Sequence, residues 1–313
     1  MSDFENQKNK GLPSAASPKA RKFARELGVN INLVSGSERD GRVVEDDIKK
    51  FISSKIINSS EIKESKHNKI KNEFEHSDFG EVKIEDIPRV KKLASTYLVN
   101  SWTTIPHVTN HEEVDITEME NFRSSLTDIY SGEKIKITPL AFIIKALVAS
   151  LKKFPNFNSS IDDIENGKMT LKKYYHIGIA VDTSNGLMVP KIRNVDNKKI
   201  LLISKELKEV SELCRNLKID KKELFGGSMT ITSLGGIGGS FFTPIINYPE
   251  VAILGIGKSQ KKQILVNGKF QTRTMLPISL SYDHRIIDGA EAARFNNDLK
   301  ENLGRNFAYK LAI

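Results

Sequence analysis

The sequence predicts an α+β protein: a substantial mixed sheet packed by helices, preceded by a small all-helical domain. Three observations carry this. From Phe79 to Ile313, short β-branched runs alternate with helix-length amphipathic segments. Residues 12–53 instead hold two short helical patterns. Between them, residues 54–78 (SKIINSSEIKESKHNKIKNEFEHSD) hold few large apolar residues and no clear period. Such a composition cannot bury enough surface to offset chain entropy, so this stretch is expected to be a flexible linker. Residues 1–11 are polar and are expected to be a flexible N-terminus.

The elements follow in order. Ser17 suits a helix N-cap and Pro18 the first helical position, with Ala20, Phe23, Ala24 and Leu27 as the apolar stripe and Gly28 as the stop. After a loop from Val29 to Arg42, a second helix would bury Val44, Ile48, Phe51 and Ile52. Thr138 and Pro139 open a helix with Leu140, Ile143, Ile144, Leu147 and Leu151 on one face. Another carries Ile200, Ile203, Leu207, Val210, Cys214 and Leu217 at spacings of three and four. Strand patterns fall at Pro106–Ile116, His176–Asp182, Ser228–Ser233, Val251–Gly257 and Met275–Asp283. The last is followed by a helix over Ala290–Leu303.

Bulk properties narrow the function classes. The 313 residues leave room for one large domain and a smaller one, and 39% hydrophobic with 28% charged residues is ordinary for a globular protein. A single cysteine, Cys214, excludes a disulfide framework and any multi-cysteine metal site, and is expected of a reducing, cytoplasmic setting. The longest apolar stretch, Leu140 to Leu151, is interrupted by Lys145 and falls short of the ~20 residues a membrane span needs. A net charge of +9 favours an anionic partner: nucleic acid, a polyanionic cofactor or an acidic protein surface. The lysines are scattered and form no aromatic-interleaved face for stacking bases, which argues against nucleic acid.

Several motifs dissolve on inspection. Gly257-Lys258-Ser259 ends like a phosphate-binding loop, but the position that must be glycine is Ala252, within a strand pattern. The glycines at 235, 236, 238 and 239 do not match the dinucleotide fingerprint and precede no helix, so a tight loop is expected. His107 and His111 stand four apart in a strand pattern, where that spacing makes no helical metal pair. His284 differs. It lies in SYDHRIIDG, where an apolar strand gives way to a helix, a common place for site chemistry.

These residues resemble a known family. DHRIIDG at 283–289 is similar to the His-x-x-x-Asp-Gly signature of chloramphenicol acetyltransferase and the dihydrolipoyl acyltransferases. IPHVT at 105–109, IGIAVDTSNGLMVP at 177–190, MTITSLGGIGG at 229–239, INYPEVAILGIG at 246–257 and LPISLSYDHRIIDGAEAARF at 276–295 resemble the catalytic domain of the latter, in order. Residues 12–53 resemble their peripheral-subunit-binding domain. TSLGGIGG and TMLPISLSYDHR look most like the acetyl-transferring branch, associated with pyruvate dehydrogenase.

The resemblance implies a chloramphenicol acetyltransferase-like catalytic domain over 79–313. It implies acyl exchange between a lipoyl thiol and coenzyme A, with His284 as general base. Thr232 would donate to the oxyanion, where the acetyl branch usually has serine and succinyl-transferring relatives use threonine. Asp288 is implied to orient, often through an arginine in the segment before IPHV; here that place is Asn100. In the small domain Arg21, Arg25 and Arg42 match positions that grip acidic surfaces of dihydrolipoyl dehydrogenase or the decarboxylating component. Trimers that assemble into a cage are implied, with His284 and Thr232 of one site drawn from different chains. The lipoyl group is expected on a lipoyl domain outside this chain, because the one Asp-Lys pair, Asp220-Lys221, lies at a helix end in the catalytic region. Succinyl or branched-chain transfer, and a non-catalytic adaptor that only docks subunits, are the alternatives; retention of His284, Asp288 and Thr232 favours an enzyme.

Overall fold

The computed structural model describes residues 15–51, 75–127, 130 and 132–304. The expected N-terminal segment, Ile52, residues 54–74 of the expected linker and residues 305–313 lie outside the described residues. His76–Phe79, at the end of the stretch expected as linker, form a 3-10 turn closed by a capping box between Glu75 and Asp78. The chain divides into two compact units, Met1–Ile84 and Glu85–Ile313.

In the first unit, α1 (Pro18–Glu26) begins where the Ser17 hydroxyl accepts the Ala20 N–H at 3.1 Å, and Pro18 occupies the first turn. It ends at Leu27, and Gly28 then turns the chain with φ +65°. The α2 helix (residues 45–51) packs across it. Ala20, Ala24, Val34, Val43 and Ile48 form a small core with Phe23 and Phe51 at its margin. Two expectations shift here. Leu27 is left largely exposed because it caps the helix rather than lining its stripe, and Val43 takes the buried place expected of Val44. Asp47 Oδ2 accepts the N–H groups of Ser37 (3.0 Å) and Val44 (3.1 Å), which ties the loop to the start of α2.

The second unit holds α3 (Arg89–Thr104), β1 (His107–Asp115), α4 (Thr117–Ser125), α5 (Pro139–Lys153), β2 (Ser159–Asp163), β3 (Lys168–Leu171), β4 (Ile177–Ile179), β5 (Lys191–Ile192), α6 (Ile200–Arg215), β6 (Met229–Ser233), β7 (Ala252–Ile256), β8 (Gln260–Val266), β9 (Lys269–Asp283) and α7 (Gly289–Leu303). Seven strands form one sheet in the order β1-β9-β7-β6-β4-β5, with β8 on the first half of β9. The strands β4, β6 and β7 run parallel; β9 is antiparallel to both its long neighbours. The pair β2–β3 is a separate hairpin.

All five expected strands are present, and α5, α6 and α7 match the expected helices closely. The α6 helix stops at Arg215, so Leu217 falls outside it, exposed and at φ +54°. The α3 and α4 helices, β2, β3, β5 and β8 are additions.

The two sheet faces differ in character. One carries Ile177, Ile179, Met229, Ile231, Ala252, Leu254, Ile256, Ile278, Leu280 and Tyr282, which share a single core with α5, α6 and α7. Because α5 is enclosed, it is apolar almost all round. The alternate residues, Thr230, Thr232, Ile253, Gly255, Ser279, Ser281 and Asp283, face the other way. Strand register aligns them with β1: Thr230 with Ile253, Ser281 and Thr109, and Thr232 with Gly255, Ser279 and His111.

Candidate active site

This second face is polar and buried. Ser279, Ser281 and Asp283 are each no more than 1% exposed. Buried hydroxyls need partners, and each has one. Ser281 meets the Thr109 hydroxyl at 2.7 Å, and Ser279 meets His111 Nδ1 at 2.9 Å while accepting the Phe242 N–H. Gly255 leaves the gap in the Thr232 row that the Phe242 ring fills. His107 Nδ1 lies 2.8 Å from the Ile105 carbonyl, and Nε2 accepts the Ile246 N–H at 3.0 Å. Both histidines of the expected non-metal pair are thus committed to protein partners.

At the C-terminal end of β9 the chain turns into α7. Asp283 N–H donates to Val251 O (2.8 Å) and His284 N–H to Pro106 O (3.1 Å), so the turn is pinned to strands on both sides. The buried Asp283 carboxylate grips Arg285, with Nη2 at 2.6 Å and Nε at 2.9 Å, and accepts the Arg285 N–H. That pairing holds the Arg285 guanidinium firmly protonated. Between these two anchored residues the His284 side chain is exposed, its ring 5.9 Å from that of Tyr282. Asp288 caps α7: its Oδ1 accepts the Glu291 N–H at 2.7 Å. The Asn100 side chain, at the place where the resemblance expects an arginine, accepts from the Thr104 hydroxyl.

Thr232, half-buried near the end of β6, is elsewhere. It aligns with Ser279, four residues before Asp283 and two strands away. At ~3.4 Å per residue and ~4.8 Å per strand, that places Thr232 on the order of 15–20 Å from the His284 turn. Within one chain the two residues do not meet. In the other unit, Arg21, Arg25 and Arg42 are all exposed, and Arg25 Nε donates to the Arg21 carbonyl at 3.3 Å.

Sequence reasoning missed the polar face itself: Ser279, Ser281, His111, Thr109 and the Asp283–Arg285 pair. Its signal was present in the alternation Ile-Ser-Leu-Ser-Tyr-Asp at 278–283.

Residues 79–308 match the model of the 2-oxoacid dehydrogenases acyltransferase catalytic domain, and residues 15–49 that of the E3 binding domain. The chain belongs to the 2-oxoacid dehydrogenase acyltransferase family. Among the acyltransferases it resembles, the dihydrolipoyllysine-residue acetyltransferase component of the pyruvate dehydrogenase complex from Cupriavidus necator is 45% identical over 91% of this chain and 53% of that protein. The component of the same name from Haemophilus influenzae is 42% identical over 90% and 52%. The chain thus spans about half the length of these curated relatives. Among solved structures, the Azotobacter vinelandii dihydrolipoamide acetyltransferase superposes with a TM-score of 0.71 at 44% identity, covering 75% of this chain and 96% of that one. The cubic core of a pyruvate dehydrogenase multienzyme complex gives the same values.

Proposed function

We propose that this acyltransferase exchanges an acetyl group between a dihydrolipoyl thiol and coenzyme A as the core of a pyruvate dehydrogenase complex. The observation that carries the reading is a matched constellation. The Azotobacter vinelandii study concerns the roles of a serine, a histidine and an asparagine in catalysis, and their intervals along that chain equal those separating Thr232, His284 and Asp288 here. The two substitutions keep the needed chemistry: threonine keeps a hydroxyl, and aspartate caps α7 as asparagine can.

A thiol has a pKa of about 8.5, so near neutrality it needs a base to become a nucleophile. The His284 imidazole takes the thiol proton, and the sulfur adds to the thioester carbonyl carbon. The resulting oxyanion accepts a hydrogen bond from the Thr232 hydroxyl. Collapse breaks the bond to the departing sulfur, and the imidazolium returns the proton to it. No serine nucleophile is needed, because the substrate brings its own.

Since His284 and Thr232 lie far apart in one chain, a complete site takes His284 from one copy and Thr232 from the next, with coenzyme A entering between them. The α3 helix supports such packing: Leu93, Tyr97 and Trp102 are 58–65% exposed, and Ser101 is its one fully buried residue. Trimers assembling into a cage fit the likeness to a cubic core. Coenzyme A is the acyl partner, and the lipoyl thiol comes on a lipoyl domain. The small unit docks dihydrolipoyl dehydrogenase or the decarboxylating component through Arg21, Arg25 and Arg42. A cytoplasmic setting fits the single, buried Cys214.

The deciding assay supplies acetyl-CoA and free dihydrolipoamide, with succinyl-CoA and branched-chain acyl-CoAs as competitors. Preferred turnover of acetyl-CoA is expected; preference for succinyl-CoA would assign Thr232 to the succinyl branch, and no turnover of any would leave a docking protein.

A further inference from the structure

The polar face also contains a second buried group of charges that the reaction above does not use. Lys191 Nζ lies 2.7 Å from Glu250 Oε1, and the two side chains are 1% and 2% exposed. The Thr230 hydroxyl donates to Glu250 Oε2 at 2.6 Å, Asn247 Nδ2 donates to Oε1 at 3.2 Å, and Lys191 Nζ approaches Thr230 Oγ1 at 3.4 Å. The local sequence makes room for these ions. A Cβ on Gly178 would lie 2.6 Å from both Lys191 Nζ and Thr230 Oγ1, and one on Gly227 would overlap Glu250. Lys191, Gly178 and Thr230 stand in register on β5, β4 and β6, so the lysine reaches across a bare strand.

A buried ion pair is a weak source of stability, because desolvating both charges offsets their attraction; apolar residues of similar volume often do as well. Its worth lies in fixing geometry, and its attachments show which geometry. Thr230 is two residues before Thr232 on the same face of β6. Glu250 precedes Val251, whose carbonyl accepts the Asp283 N–H at 2.8 Å, and Asp283 adjoins His284 while gripping Arg285. One network therefore reaches the strand of the oxyanion donor and, through one backbone hydrogen bond, the turn of the base. We propose that Lys191, Glu250 and Thr230 are positioning residues that hold both Thr232 and His284 at their working coordinates. This rests on the acyl-transfer reading; none of the three touches substrate.

The test uses the full chain in its native assembly. Thr230→Val removes the hydroxyl at nearly constant volume, Thr230→Ser retains it, and Lys191→Met combined with Glu250→Gln removes both charges together. The first and the double variant should lower kcat by about tenfold or more at little changed KM for acetyl-CoA, with assembly retained. Thr230→Ser should restore most of the rate. Wild-type kcat in Thr230→Val, equal loss in Thr230→Ser, or a loss that tracks dissociation of the assembly would each overturn the proposal. If the double variant fails to fold, the Val and Ser pair decides. A wild-type protein without turnover would remove the acyl-transfer reading and this proposal together, whereas an active wild type beside fully active variants removes the positioning role alone.

Discussion

An imidazole acts as a base only if substrate can reach it and its backbone is held still. His284 meets both conditions: its side chain is exposed, while Asp283 and its own N–H are bonded to neighbouring strands. His284→Ala should therefore lower kcat by about two to four orders of magnitude with the assembly intact, as measured by steady-state turnover beside sedimentation. In the proposed reaction Thr232 offers a hydroxyl to the developing charge, so Thr232→Ala should cost ~10²–10³ in kcat. Thr232→Ser should be nearly silent. An increase confined to KM would instead make Thr232 a substrate-binding residue.

At the scale of elements, two carboxylates hold helix starts. Asp288→Ala should lower stability by about 1 kcal/mol through loss of the α7 cap, whereas Asp288→Asn should retain both the cap and turnover; chemical denaturation resolves the two. Asp47 does similar work in the small unit. The Ser37 side chain, then the Val44 and Ser37 N–H groups, favour its ionised form and hold its carboxyl below the usual range. A lowered folded-state value means this contribution is present above the ordinary carboxylate pKa of about 3.9 and is lost as pH falls through the folded-state value. Asp47→Asn should lower the stability of the small unit above the ordinary carboxylate range, and its acid profile, followed by circular dichroism, should be flatter than that of the wild type. An unchanged acid profile would remove Asp47 from the account.

At the scale of the whole molecule, assembly and docking are separable. Placing charge on the exposed apolar side chains of α3, as in Leu93→Glu with Trp102→Glu, should produce smaller species in sedimentation and abolish turnover, because the proposed site draws on two copies. Full activity in a monomer would refute the shared site. Docking by the small unit should weaken as salt rises, and Arg21→Ala or Arg25→Ala should weaken it further, since guanidinium groups gripping carboxylates are screened when exposed. Binding indifferent to salt and to both arginines would move the contact to another surface.

The elements whose burial repeats along the chain could be read directly. The α5 and α6 helices show the three-and-four spacing of a face pressed to a sheet, and β6, β7 and β9 carry β-branched runs, because periodic burial leaves a periodic sequence. The turn that carries His284 was legible through its motif, and the Ser17 cap through local chemistry. The α3 helix was not: among the described residues its large apolar side chains are exposed, so no buried stripe marks it. The strand β8 is a neighbour of β9 along the chain, joined to it by the two-residue Asn267-Gly268 turn, a local hairpin signal that went unread, whereas β5 gains its identity from Ile177 and Gly178 on β4. The same holds for the polar face. No local signal pairs Lys191 with Glu250, or His111 with Ser279, since each bond spans many residues and exists only after the strands take their order. Local sequence determined which side chains could do chemistry and where α1 and α5 begin. Tertiary structure decided which of them share a face, that Asp288 serves as a cap, and that Thr232 and His284 of one chain stand far apart, because strand order and register are set by long-range pairing rather than by neighbours along the chain.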